Sequence, residues 1–576
     1  MLYINIRRRA TSHNEISLCT SDLSSTQSEI SCNGCARKVW SQDKMVEQGV
    51  EGFNLDGILS ELGSFGKYQL LLLLLLGFRD SFLNMCNFNY VFTAADEPFR
   101  CLKPSCDTNS TDSWILFPSN DTCYKSDNTS SSCSSDTFGP KAIPCEEIIY
   151  DKYDSIVAEF DLGCQPWKAT LIGTVHNLGL VFSFVLSGFI SDRYGRKVII
   201  VSTPLMVGIA GLLKSFAMDY WTLLGLEFLE TALGYGNASM VLSLEAVSHK
   251  SRVVYSCISD ILACLGGAFF GLIAWKVPYW RHLMRAIYAP LLVVVFYIFL
   301  IDEGVRWLLA HNKRDEAVQV LNKVAKINNI TLSKNAQDML SSISEPKTEL
   351  NKMKSTAEET PNIFSVLRSK TILLRMALIA ACFICCSFVF SGAIINSVSI
   401  SGSKYLNFSI MMLVQVPTRI ITALTLTRFG RKAPICVAYC FCALFFMASA
   451  FVPKSIWWAS VLFYIAGKMC SSYGIFSVQV VAMEIFPTTS RNCLTNVANT
   501  VGRLGSVLAP QTPLLEKVMP GLPSIVFALA ALGPAFLALL LPDTSRSVLP
   551  DKVADAEKLD ATKTEEEATE SFKQRL

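Results

Sequence analysis

Twelve apolar runs, each about as long as a helix that crosses the hydrocarbon of a bilayer, dominate this sequence. They lie near 68–95, 169–191, 198–217, 221–246, 254–275 and 283–301, then 372–394, 405–427, 432–452, 456–484, 493–512 and 522–541. Lipid offers no partner to a backbone N–H or C=O, so each run must close its hydrogen bonds within itself as a helix. The expected fold class is an all-α membrane protein with 12 transmembrane helices. Charged residues make up only 17% of the chain, against about a quarter in soluble proteins. A net charge of +3, without interleaved basic and aromatic residues, gives no nucleic-acid surface. No cleavable leader is read, because residues 1–66 are polar and the first run must start translocation itself.

The 20 cysteines divide by environment. Cys101, Cys106, Cys123, Cys133, Cys145 and Cys164 share one polar loop, 96–167, with glycosylation sequons at Asn109, Asn120 and Asn128. That combination reads as an extracellular, disulfide-closed, glycosylated loop whose pairing the sequence leaves open. Most other cysteines lie in apolar runs as small hydrophobes. Cys19, Cys32 and Cys35 fall in the N-terminal tail, and with no second Cys-x-x-Cys pair they read as reduced thiols rather than a metal site.

An even number of spans puts both tails on one side. Short basic connections at 192–197 (Arg193, Arg196, Lys197) and 428–432 (Arg428, Arg431, Lys432) place that side in the cytoplasm. The resulting organisation is a cytoplasmic tail (1–66), a six-helix half (67–301), a cytoplasmic loop with short amphipathic helices (302–371), a second six-helix half (372–541) and a charged cytoplasmic tail (542–576). The halves repeat each other. Glu245 and Arg252, spaced where a span reaches the cytoplasm, recur as Glu484 and Arg491, and Gly195-Arg196-Lys197 recurs as Gly430-Arg431-Lys432. Two parallel halves of six helices around a midplane site describe the major facilitator architecture.

Gly188-Phe189-Ile190-Ser191-Asp192-Arg193-Tyr194-Gly195-Arg196-Lys197 resembles the signature loop of the major facilitators. Four finer features resemble solute carrier family 22, the organic cation, anion and zwitterion transporters, in the manner of invertebrate organic cation transporter-like and carcinine transporter-like proteins. They are the long cysteine-rich loop, Glu484-Ile485-Phe486-Pro487-Thr488 with Arg491-Asn492, Arg503-Leu504-Gly505 with Pro510, and Arg306-Trp307-Leu308. Departures from the family pattern are Asp302-Glu303-Gly304-Val305 before Arg306, Thr427 for an Asp, Gln415 for a Glu and Glu227 for an Arg. The resemblance implies transport of small organic ions by alternating access in a plasma membrane, without enzymatic activity or cofactor.

Site residues follow from where charges interrupt apolar runs. Asp192, Arg193 and Arg196, with the pairs Glu245/Arg252 and Glu484/Arg491, read as gate latches, or for the basic ones as topology determinants alone. Arg503 lies about 18 Å into the eleventh span, near the midplane, where a charge usually faces a wet cavity. The resemblance implies a role there in anion and zwitterion carriers, so Arg503 is expected to bind a substrate carboxylate. Asp260 would receive a substrate ammonium or only neutralise Arg503. Glu227 and Glu230, on the outer part of the fourth span, are candidates for proton coupling, unless Glu227 simply sits near the outer surface. Tyr473, Phe476 and Gln479 fall at three-residue steps on the tenth span, and with Phe390, Tyr235 and Asn237 they are expected to wall the cavity. His176 and His249 stand isolated, and no metal-spaced set or phosphate loop appears. The expected partners are a small organic ion, the lipid bilayer and a co-transported or exchanged ion. A pure organic cation carrier and a non-transporting substrate sensor on the same fold remain the alternatives.

Overall fold

The computed structural model describes residues 55–63, 65–101, 123–126, 142–145, 147–248, 251–334, 336–337, 369–400, 402–487 and 491–542. Among them are ten helices long and apolar enough to cross a bilayer. Lys67–Thr93, Pro166–Tyr194, Arg196–Lys214, Val254–Lys276 and Trp280–Leu300 belong to the first half. Lys370–Ser399, Lys404–Leu426, Lys432–Phe451, Trp457–Ile485 and Leu522–Leu540 belong to the second.

The fourth and eleventh spans differ from the uninterrupted helices expected. The fourth is split into Tyr220–Gly234 and Ala238–Glu245 at Tyr235-Gly236-Asn237. Ser183 of the second span repairs this break, its hydroxyl donating to the Tyr235 carbonyl at 2.7 Å and accepting from the Tyr235 N–H at 2.9 Å. The eleventh runs as Arg491–Gly502, Leu504–Leu508, the 3-10 turn Ala509–Gln511 and Pro513–Val518. Pro510 and Pro513 have no N–H to continue a helix. At Arg503 the backbone N–H is shared between the carbonyls of Asn499 and Thr500, 3.1 and 3.2 Å away. The break is held close to the seventh span, where a Cβ on Gly505 would run into the Ile384 carbonyl oxygen.

The halves meet where the second span packs on the eleventh and the fifth on the eighth. At the end that carries the cysteine-rich loop, an apolar cluster continues across this seam. Phe92 stacks on Tyr405 with centroids 5.4 Å apart and lies edge-on to Phe408 at 5.0 Å and Phe270 at 5.2 Å. Several polar contacts across the seam lie at the same end. The Thr170 hydroxyl and the Gln511 side-chain oxygen are 3.0 Å apart, Gln511 donates to the Thr174 hydroxyl at 2.6 Å, and Lys404–Glu97 (3.2 Å) and Lys517–Asp96 (3.1 Å) are ion pairs. At the opposite, basic-turn end, the ion pairs among the described residues stay on one side of the seam. Arg196 meets Asp192 and Glu245, Arg431 meets Glu484, and Asp56 of the helix Leu55–Glu61 meets Arg252 and Arg306.

Segment 302–371 begins with two short helices, Val305–Ala310 and Arg314–Asn328, of which the second buries Ala317, Leu321, Val324 and Ala325 as its apolar spacing predicts. In the cysteine-rich loop, Phe99–Cys101 pairs antiparallel with Ile148–Tyr150, and Tyr124–Ser126 with Ala142–Pro144. Cys123 is bonded to Cys164, and Cys145 is also oxidised. Cys106, Cys133, Asn109, Asn120, Asn128 and the side chain of Cys101 lie outside the described residues, as do His249 and residues 543–576.

A short helix, Ile156–Glu159, fastens this loop to the bundle, with Ser155 capping it through the Ala158 N–H at 3.3 Å. Glu159 accepts hydrogen bonds from Arg281 (2.9 Å from Nε), the Trp280 indole and the Tyr279 hydroxyl at the start of the sixth span. Arg281 also donates to the carbonyls of Ser215 and Ala217 after the third span. Partial burial pushes the Glu159 carboxyl up, but these donors outweigh it and hold the group below the usual carboxylate range. Its contribution to stability is therefore complete above about pH 4.3 and fades as pH falls through the lowered folded value. Glu159→Gln is expected to cost about 2 kcal/mol at neutral pH. Thermal unfolding of variant and parent, followed from neutral to acid, should show the difference shrinking below about pH 4. A gap that stays constant over that range means the ionised carboxylate is not what fastens the loop.

Candidate functional site

Charged side chains gather at mid-depth, and each half contributes a characteristic sign. From the first half come Asp80 and Asp260. Asp80 sits 2.5 Å from Arg79, which is buried and also held by the Thr203 hydroxyl (2.9 Å) and the Ile200 carbonyl (3.2 Å). Ser239 donates to Asp80 at 3.2 Å. From the second half come Arg419, Lys468 and Arg503. Arg419 lies over the ring of Phe476, 3.3 Å from its centroid, and reaches across the seam to Asp260 at 3.1 Å. Lys468 is buried 3.2 Å over the Phe390 ring and donates to the Phe390 carbonyl at 3.0 Å. The rings of Phe390 and Phe476 are themselves neighbours, 6.5 Å apart.

Arg503 stands at the break in the eleventh span. Its guanidinium lies 3.6 Å from the centroid of Phe184, on the second span. The side chain is only partly covered, and among the described residues it has no carboxylate partner. The pairing of Asp260 with Arg503 that the sequence left open does not occur, because the fifth span packs on the eighth, where Arg419 projects. Correspondence in the repeat is not adjacency in the bundle. Arg419, Lys468 and Arg79 were missed as site residues, although the rule that marked Arg503, a charge inside an apolar run, marks them equally.

The expected aromatic wall is only partly assembled. Phe390 and Phe476 lie under cations as described. Tyr473 turns toward the eighth span, where its hydroxyl is 2.7 Å from Thr425, and it lines an apolar cavity of about 510 Å³ between the eighth, ninth and tenth spans. Gln479 is half-buried and Asn237 is exposed at the break of the fourth span. Tyr235 is buried inside the first half, its ring edge-on to His176 at 6.2 Å.

His176 is not isolated, and Glu227 and Glu230 are not surface groups. All three are fully buried with Lys214. His176 Nδ1 is 2.6 Å from one Glu227 oxygen, and Lys214 Nζ is 2.6 Å from the other. Lys214 also pairs with Glu230 and donates to the Tyr288 hydroxyl (3.1 Å), which in turn donates to Glu230 at 2.8 Å. The partners come from the second, third and sixth spans, at sequence distances no helical period relates to the fourth.

At the basic-turn end, Arg196 sits 3.2 Å from Asp192 and 3.5 Å from Glu245, while Glu303 accepts from the N–H groups of Arg196 (2.8 Å) and Lys197 (3.2 Å). Glu303, in the segment that departs from the family pattern, thus caps the third span. Arg193 is exposed over Tyr194. Arg252 pairs with Asp56 rather than Glu245, and Glu484 is held by Arg431, with Nη2 to carboxylate 2.8 Å. The Arg491 side chain lies outside the described residues.

Comparison with known proteins adds a second line of observation. The sugar (and other) transporter family profile matches residues 115–551. Solute carrier family 22 member 1 of Bos taurus is 31% identical over 422 residues, 72% of this chain and 73% of the relative. The organic cation transporter-like protein of Drosophila melanogaster is 27% identical over 528 residues, 87% of this chain and 92% of the relative. Among solved structures, the xylose transporter XylE from E. coli, in a partially occluded inward-open conformation, superposes with a TM-score of 0.53 at 13% identity. That alignment covers 82% of this chain and 99% of XylE.

The buried ionic network carries a stability consequence. Removing the ammonium with Lys214→Met leaves two carboxylates facing each other in the core and is expected to cost about 3–5 kcal/mol. Adding Glu227→Gln and Glu230→Gln to the same chain should return most of that loss. Thermal unfolding of the purified protein compares the two; a single variant no less stable than the triple one refutes the charge-balance account.

Proposed function

This chain belongs to the sugar (and other) transporter family and, within it, to solute carrier family 22, and from that premise we propose that it carries a small organic ion bearing a carboxylate. It is a multi-pass membrane transporter of the major facilitator fold. The finer reading is alternating access at the plasma membrane, with both tails cytoplasmic and the cysteine-rich loop outside.

The observation that carries the substrate class is Arg503, a partly accessible guanidinium on an aromatic ring with no carboxylate partner among the described residues. Arg419 has Asp260 and Arg79 has Asp80, so those charges are already answered. A charge at mid-depth left unanswered is costly, and a substrate carboxylate supplies the missing partner through bidentate hydrogen bonds. The carboxylates of Asp80 and Asp260, each paired with one cation but still 23% and 36% exposed, are the groups that the ammonium of a zwitterion would face. Phe390, Phe476 and Phe184 supply faces for an aryl or quaternary ammonium group. Glu303, Arg196, Asp192 and Glu245 act as the latch of the cytoplasmic side on this reading, with Arg431 and Glu484 as its counterpart.

A second reading, a pure organic cation carrier, is favoured by the names of the Drosophila relatives, an organic cation transporter-like protein and an organic cation transporter protein. Uptake into proteoliposomes separates the two. L-carnitine, benzoate and tetraethylammonium serve as zwitterionic, anionic and cationic probes. With the parent protein, saturable uptake is expected for at least one carboxylate-bearing probe. Arg503→Asp should lower it by about 100-fold, as loss of a charge-assisted bidentate contact does, while Arg503→Lys retains a measurable part. Uptake of tetraethylammonium alone favours the cation carrier. Undiminished carboxylate uptake by Arg503→Asp removes the site assignment, and the absence of saturable flux for every probe favours a sensor.

A further inference from the structure

The His176 cluster is out of charge balance. Glu227 and Glu230 bring two negative charges, and Lys214 answers one of them. With both carboxylates ionised, one further proton held within the cluster restores neutrality, and its absence leaves a net negative charge sealed in a core that no solvent reaches. The other titratable groups facing the cluster are Tyr288 from the sixth span, Tyr90 and Cys86 from the first, and Tyr235 from the break in the fourth, all uncharged in the neutral pH range. The Tyr235 hydroxyl is buried among them with no hydrogen-bond partner in the described residues.

The cluster also has an approach. A cavity of about 230 Å³ opens at the cysteine-rich-loop end of the seam and is lined by Tyr90, Thr170, Gly173, Pro510 and Lys517. Tyr90 separates it from His176, with ring centroids 5.1 Å apart, and Asn177 holds the Tyr90 hydroxyl at 3.2 Å. His176 Nε2 meets Asn87 at 3.4 Å, and Asn87 is half-buried. On the same helix, His176 follows Thr170 by six residues and Thr174 by two residues, and the contacts of those threonines to Gln511 close the seam.

We propose that His176, with Glu227, Lys214 and Glu230, is a proton-binding site served from the extracellular vestibule, and that its protonation holds the outer seam shut. Opening the seam parts Gln511 from Thr170 and Thr174 and lets water past Tyr90. The cluster's extra proton then leaves, and hydration stabilises the net negative charge. Closing dehydrates the cluster and requires the proton back. By linkage, acid favours the closed outer end and alkali the open one. This inference rests on the alternating-access reading but not on the substrate or on Arg503.

The test uses the full chain in nanodiscs without substrate, so it can fail or succeed independently of the uptake assay. Hydrogen–deuterium exchange, corrected for intrinsic rates, is read at about pH 6 and about pH 8. Peptides spanning 166–178 and 505–515 report the outer seam, and those around 191–200 report the basic-turn end. In the parent, the outer peptides should exchange about fivefold faster at the higher pH. His176→Gln and Glu227→Gln should each abolish that dependence, the first leaving the seam open at both pH values and the second closed at both. Whichever variant keeps the parent's gel-filtration profile decides the question. Exchange in the parent that is independent of pH, or faster in acid, overturns the proposal, as does a pH dependence that survives in the variant.

Discussion

A charge inside a membrane protein must find its partner within the protein, because hydrocarbon supplies none. This requirement organises the molecule more than the apolar surfaces do, since those are nearly as content against lipid as against one another. The first half satisfies it with closed sets, Arg79 with Asp80 and Lys214 with two glutamates and a histidine. The second half satisfies it incompletely. Its cations rest on aromatic faces and backbone carbonyls, and one of its arginines borrows a carboxylate from across the seam.

That asymmetry bears on how a carrier works. An ion pair between the halves, such as Asp260 with Arg419, must be broken or kept as one half rocks on the other, whereas pairs within a half ride along unchanged. On the alternating-access reading, the contacts that cross the seam at the loop end, from the Phe92 aromatic cluster to Lys404 with Glu97, are the ones that bias its equilibrium. The described pairs at the basic-turn end belong to one side each and give it no such hold. Among the described residues, the contacts across the seam are accordingly more numerous toward the cysteine-rich loop.

Several described spans depart from plain α-helices, the sixth through the 3-10 stretch Ala289–Phe296 and the eighth at Val414, and two of them carry Glu227 and Arg503. An interrupted helix frees backbone groups that neighbours must satisfy, as Ser183 does for Tyr235. It also gives a side chain at the break a direction an intact helix would deny it. Gly236, Pro510 and Pro513 were visible as breakers in the sequence, but membrane helices often carry such residues without breaking, so their presence alone did not mark the interruptions.

What the sequence by itself determined was local in the chain. Hydropathy runs located the spans, the repeated Gly-Arg-Lys and Glu/Arg spacings divided the halves, and a cation in an apolar run singled out Arg503. Each of these depends on neighbours along the chain and on the bilayer as a uniform solvent. Only the tertiary structure decided the partners. Asp260 meets Arg419 and not Arg503, His176 meets Glu227 across two spans, and Tyr473 turns from the centre toward Thr425. Those outcomes depend on which helices lie side by side and how each is rotated, and helix packing sets both through shape contacts such as Gly505 against the seventh span. Such contacts leave no period in the sequence from which they could be read.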